Sequence, residues 1–224
     1  MITLIEMQTP LLPDIERCVS AIAKMDEFDS VILETVGGIN AVAMGTLLKG
    51  RCNKEIFLKI TCRDKNRIAL YSDLTTAAAA GLLNVVVADG VHPAQSQFPA
   101  AKPVYDLDSL SLLRMIKSDS PAFSPAHIPP LSSLAWNVGV CVGGLTSADI
   151  GRARKFVSAG ADLFFVGSLA AISQIKQVTD KPVFLSVPAE HTADLSEILD
   201  EAEKSGASGI NIIAGAADRV FEGI

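Results

Sequence analysis

Short runs of aliphatic residues recur along the chain, separated by longer segments in which apolar positions return at helical spacing. The runs cover residues 3–7, 30–34, 56–61, 84–88, 137–142, 163–166, 183–187 and 209–214. Few alternate with polar residues, which predicts strands buried on both faces, as in a parallel sheet. Between them Ile15, Cys18, Val19 and Ile22 repeat at i, i+3, i+4, i+7, and Leu195, Ile198, Leu199 and Ala202 do the same. That period predicts amphipathic helices lying on the sheet. Asp108 and Thr146 stand where helices begin and have the side chains of N-caps. Gly81, Gly160 and Gly206 each close a helical segment shortly before a strand.

Eight strand-and-helix units in 224 residues allow about 28 residues apiece, which predicts a (β/α)8 barrel. The expectation is a single domain over residues 1–224, compact beside the ~250 residues usual for that fold. An open doubly wound sheet is the alternative. No GxGxxG follows the first run, and no phosphate-binding P-loop occurs.

Composition narrows the function classes. The chain is 49% apolar and 5% aromatic, and its longest apolar stretch, around 77–88, is broken by Gly81 and Asn84. It falls short of the ~18 residues that would span a bilayer, and no basic segment precedes an apolar one at the start. A cytoplasmic protein without membrane partners is expected. Nineteen basic and twenty-five acidic residues give a net charge of −6 with no basic block, which argues against nucleic acid as a partner. Cys18, Cys52, Cys62 and Cys141 lack CxxC or His-paired spacing, so free thiols are expected and no metal.

Barrels of this kind place working groups at the C-terminal ends of the strands. Those ends carry Glu6, Glu34, Lys59 with Thr61 and Arg63, Asp89-Gly90, Cys141 with Gly143-Gly144, Gly167, Ser186 and Gly215. Glu6 lies within Leu4-Ile5-Glu6-Met7. A carboxyl withdrawn from water tends to keep its proton and can serve as a general acid. The alternative is a structural Glu paired with Lys59 or Arg63. Glu34 invites the same reasoning. Asp89 would bind a polar ring edge or cap its loop. The stretch Ala214-Gly215-Ala216-Ala217 would offer backbone N–H groups to a phosphate or form a closing turn.

Two irregular stretches stand out. Residues 89–106 follow the fourth strand, carry His92, Gln95, Gln97 and Lys102, and are expected to grip a ligand. Residues 117–135 hold Pro121, Pro125, Pro129 and Pro130 and read as a stiff connector on the opposite face. His127 lies in that connector and His191 in a surface turn, leaving His92 as the histidine placed for function. Trp136 is expected to pack at the entry to the fifth strand.

The segment Ile60-Thr61-Cys62-Arg63-Asp64-Lys65-Asn66-Arg67-Ile68-Ala69-Leu70 resembles the methylenetetrahydrofolate reductase family. The likeness continues through Ser72-Asp73-Leu74, Ala78-Ala79-Ala80-Gly81-Leu82, Asn84-Val85-Val86 and residues 101–109, with Glu6, Pro10 and Ala159-Gly160-Ala161-Asp162 matching further motifs. The resemblance implies a (β/α)8 barrel of one-carbon metabolism that uses FAD or FMN to reduce a folate, with NAD(P)H or another electron donor. Glu6 would then be the general acid, and hydride would come from the flavin. Lys59, Thr61, Arg63, Asn66, Asp89, Gly90 and His92 would hold the cofactor, and Glu34, Asp89 and Gly167 the folate-like substrate.

The family's polar ligand residues read Lys59, Val91 and Gly167 at the matching places in this chain. These departures keep open an accessory folate- or flavin-binding barrel, or a flavin-independent pterin or corrinoid methyl-transfer protein. The expected assembly is a homo-oligomer or a complex with a redox or methyltransferase subunit. Ala161-Asp162-Leu163-Phe164 also resembles phosphoenolpyruvate mutase-like barrels, without an accompanying acidic metal cluster.

Overall fold

All eight apolar runs form strands, each extended by no more than two residues beyond the span the pattern predicts. The computed structural model describes residues 1–10, 15–120, 130–143, 145–191 and 195–216. In chain order the elements are β1 (Ile2–Gln8), α1 (Ile15–Ala23), β2 (Ser30–Glu34), α2 (Ala41–Leu48) and β3 (Glu55–Thr61). Then come α3 (Arg67–Ala79), β4 (Asn84–Ala88), α4 (Ser109–Lys117), β5 (Asn137–Val142) and α5 (Ser147–Ser158). The last are β6 (Leu163–Val166), α6 (Leu169–Lys176), β7 (Val183–Pro188), α7 (Leu195–Lys204) and β8 (Gly209–Ala216). Each strand runs parallel to the next, and β8 pairs with β1 to close the barrel. The fold is the (β/α)8 barrel that the pattern predicts, and the open sheet is excluded.

Strand alternation divides the core in two, because successive side chains point to opposite faces. Outward-facing residues such as Val31, Leu58, Val87, Val140 and Phe164 join the helices in one large cluster. Inward-facing Leu4, Ile32, Phe57, Val86, Leu163, Phe165 and Phe184 form a separate plug inside the barrel. The Phe165 and Phe184 rings stack there with centroids 5.5 Å apart. With the lower interior filled by carbon, the next inward positions toward the C-terminal mouth define the floor of any site. Two residues beyond Leu4, Phe57 and Phe184 those positions are Glu6, Lys59 and Ser186, and two beyond Ile32 is Glu34.

Local chemistry fixes where the helices start and stop. Asp108 accepts from Ser111 N at the head of α4, and Thr146 with Asp149 completes a reciprocal capping box on α5. Asn40, Asn66 and Ser168 cap α2, α3 and α6. Gly81, Gly160 and Gly206 adopt positive φ after α3, α5 and α7, as the helix-ending pattern requires. Trp136 is buried ahead of β5, donating from Nε1 to Leu131 O at 2.9 Å. His191 sits in an exposed turn. Among the described residues no helix is long and apolar enough to cross a membrane. Gly144, His127, Pro121, Pro125, Pro129 and Ala217 lie outside the described residues.

Candidate functional site

A cavity of about 660 Å3 opens at the C-terminal mouth of the barrel. Glu6, Glu34, Lys59 and Cys141 line its strand side, and Gln95, Ser96 and Gln97 line it from the loop after β4. That loop is fastened at both ends. Asp89 accepts from Ser109 N at 2.7 Å and pairs with Arg152 of α5. Asp106 accepts from Arg67 N, Nε and Nη2, and these bonds hold the Asp106 carboxyl at about 2. The loop's Phe98 lies over Gly37, where a Cβ would stand 2.1 Å from the ring. Gly37 has φ +70°, so both its conformation and the ring above it exclude a side chain.

Lys59 is the centre of the mouth. Its Nζ lies 2.5 Å from Glu6 Oε1 and 3.3 Å from Glu34 Oε2, and all three side chains are at least 84% buried. Burial works against the ammonium, yet the carboxylates of Glu6 and then Glu34 outweigh it and hold Lys59 above its ordinary value. For Glu34 the balance runs the other way. Burial dominates, Lys59 opposes it, Glu6 adds repulsion, and the carboxyl is pushed up from its ordinary 4.5. The other oxygen of Glu6 accepts from Asn211 Nδ2 at 3.0 Å. Asn211 is fully buried, also faces Ser186 Oγ at 3.3 Å, and leaves its Oδ1 without a partner.

Cys141 reaches solvent through the mouth but is walled by protein on its other sides. Burial, moderated by Lys59 and reinforced by Glu6, pushes its thiol up to about 11. Cys62 is fully buried and is pushed up to about 12, first by burial and then by Asp89. Neither thiol is primed as a nucleophile, because the thiolate is the reactive form.

The expected site residues divide sharply. Glu6, Glu34, Lys59, Arg63, Asp89 and Gly90 do meet at the mouth. Thr61 lines a second cavity of about 390 Å3, beside β3 and the start of α2. Asn66 does not join them, because its side chain is the N-cap of α3. His92 is exposed and caps its own short turn, accepting from Ala94 N. Gly167 is exposed, with open space around it, and lines neither cavity. Arg63 is spent on Asp64, through Nε and Nη2, and on Val91 O, through Nη1.

Asn66, His92, Asp89 and Arg63 are each bonded to the protein itself. Lys102 is exposed and outside both cavities. Sequence reasoning overlooked Asn211, although a lone Asn between isoleucines in a buried strand was a legible signal. It also overlooked Arg152, whose helical position carried none.

No family model matches the chain, and no curated protein matches it. Among solved structures it is similar to 2,3-dimethylmalate lyase, a PEP mutase/isocitrate lyase superfamily member, at 13% identity and TM-score 0.57. Oxaloacetate acetylhydrolase is similar at 13% and 0.59; in both comparisons 94% of this chain covers 75% of the other. 3-Hexulose-6-phosphate synthase is similar at 16% and 0.53, with 93% of this chain covering 89% of that one. The likeness is one of fold.

None of these neighbours is a flavin-dependent oxidoreductase, and the methylenetetrahydrofolate reductase-like function expected from the sequence is withdrawn. Glu6 accepts from Lys59 on one oxygen and from Asn211 on the other. Ala161-Asp162-Leu163-Phe164, the mutase-like motif, has a framework role. Asp162 accepts from Val138 N and pairs with Lys117, at the barrel end away from the mouth.

Proposed function

We propose that this chain is an enzyme that moves a proton to or from a small polar molecule held at the barrel mouth, with Glu34 as the exchanging group. The observation that carries this reading is the Glu34 carboxyl itself: it faces the larger cavity, is mostly buried, and holds its proton above the ordinary range. General acids and bases work best when their affinity for a proton lies near the working pH. Lys59 lies beside Glu34 and favours its ionised form, opposing the effect of burial. Glu6 holds Lys59 in place, Asn211 holds Glu6, and both are positioning residues.

The test is hydrogen exchange into a panel of small amino, hydroxy and oxo compounds in heavy water, followed by proton NMR. Wild type is expected to exchange an activated C–H in at least one compound, and E34Q to lose roughly a hundredfold or more of that rate, the scale of a lost general acid or base. Exchange that proceeds equally in E34Q, or no exchange with any compound, overturns the reading. The free thiols among the described residues support the further proposal of a reducing, cytoplasmic setting.

A further inference from the structure

The charges around the larger cavity do not balance, and the imbalance has a location. Two basic side chains line it, Lys59 and Arg63, and both are already bound to carboxylates. Arg63 holds both oxygens of Asp64, and Lys59 stands between Glu6 and Glu34. Asp89, the remaining acid on the lining, is bound by Arg152. Among the described residues this leaves two carboxylates to one ammonium at the centre, and the ammonium is nearer to Glu6 by 0.8 Å. Glu34 is therefore the carboxyl that Lys59 serves less closely.

Among the described residues an anion entering the mouth would find no uncommitted cation and would have to displace a carboxylate from Lys59 or Arg63. Desolvating an anion beside Glu6 and Glu34 without a partner is costly. A cation meets the opposite situation, because it would bring Glu34 the partner that Lys59 only half provides. Asn211 adds an independent sign. Its Oδ1 is a fully buried acceptor with no donor, on the side chain whose Nδ2 donates to Glu6. The network thus carries a surplus of acceptors in two places.

We propose that the barrel mouth selects a small molecule bearing a protonated amine, which docks its ammonium against the Glu34 carboxylate. This deepens the proton-transfer reading and rests on it for the location of the site. Ammonium binding stabilises the ionised form of Glu34, so it lowers the affinity of that carboxyl for a proton. No covalent step is involved.

The probes are propylamine, n-propanol, propionate and inorganic phosphate, titrated separately into the full chain. Binding is read by calorimetry and by the carbon-13 signal of the Glu34 carboxyl. Propylamine is expected to bind most tightly, to move that signal toward the ionised position, and to weaken about ten- to a hundredfold in E34Q, the scale of one charge-assisted hydrogen bond. E34D, which keeps the charge, should retain the preference for the amine. Tighter binding of propionate or phosphate, or equal affinity of wild type and E34Q for propylamine, overturns the inference. Hydrogen exchange without amine preference overturns the ligand class and leaves the proton-transfer reading standing. Amine preference without exchange supports the ligand class and overturns that reading.

Discussion

Lys59 Nζ of β3 lies 2.5 Å from Glu6 Oε1 of β1, although β2 stands between the two strands. The contact spans the barrel mouth and draws in Glu34 from the intervening strand. Removing the ammonium leaves two buried carboxylates facing one another. K59M is therefore expected to lose about 3–5 kcal/mol, the cost of stranding buried charge. The loss should shrink on acidification, as the carboxylates take up protons. Urea denaturation at neutral and acid pH checks this, and a K59M protein as stable as wild type at neutral pH would contradict it.

Glu34 carries a pH dependence of definite sign. Its folded carboxyl binds a proton more tightly than the ordinary 4.5, chiefly through burial. Its contribution to stability is fully present below about pH 4.5 and is lost as the pH rises through the raised folded value. E34Q cannot ionise, so it should differ least from wild type in acid and become the more stable protein as the pH rises. Melting curves across that range provide the measurement. A mutant that falls behind wild type with rising pH would show that the Lys59 pairing outweighs burial.

Asn211 tests how far the site depends on its support. N211L removes the donor to Glu6 Oε2 together with the orphaned Oδ1. Loss of a hydrogen bond to a charged group is expected to cost about 1.5–3 kcal/mol, partly offset by removing the unsatisfied acceptor. N211D puts a third carboxylate against Glu6 and should be worse than N211L at neutral pH. The order of the two variants in chemical denaturation decides the point; the reverse order would mean that Asn211 does not act through Glu6.

Gly37 and Phe98 form a pair with a measurable coupling. G37A places a side chain at φ +70° and brings its Cβ within 2.1 Å of the Phe98 ring. The backbone conformation alone costs about 1–2 kcal/mol. F98A in the same chain removes the clash but leaves that cost, so the double mutant should recover part of the loss. A coupling of about 0.5–3 kcal/mol in a double-mutant cycle is expected for residues in contact. Strict additivity would mean that the loop does not rest on Gly37.

Strand positions, helix phases and caps were legible because each depends on neighbours in sequence. The run at residues 84–88 is apolar at four of its five positions, which suits a strand buried on both faces. Ile15, Cys18, Val19 and Ile22 share one face of α1 because 3.6 residues complete a turn. Thr146 caps α5 through Asp149, three residues away. The same locality accounts for two residues expected at the site. Asn66 and His92 had polar side chains at strand-to-helix junctions, and each was already used by the backbone of its own turn.

Only the closed barrel decided which polar groups meet. Glu6 and Lys59 are 53 positions apart, and Asn211 reaches Glu6 across 205. No periodicity links such distances. The encounter depends on β8 pairing with β1, on the register that sets inward positions side by side, and on an apolar plug that leaves them dry. The sequence alone determined that carboxyls and a lysine end these strands. Tertiary closure decided that two carboxyls share one ammonium, since charge balance in a buried site is a property of its full circumference.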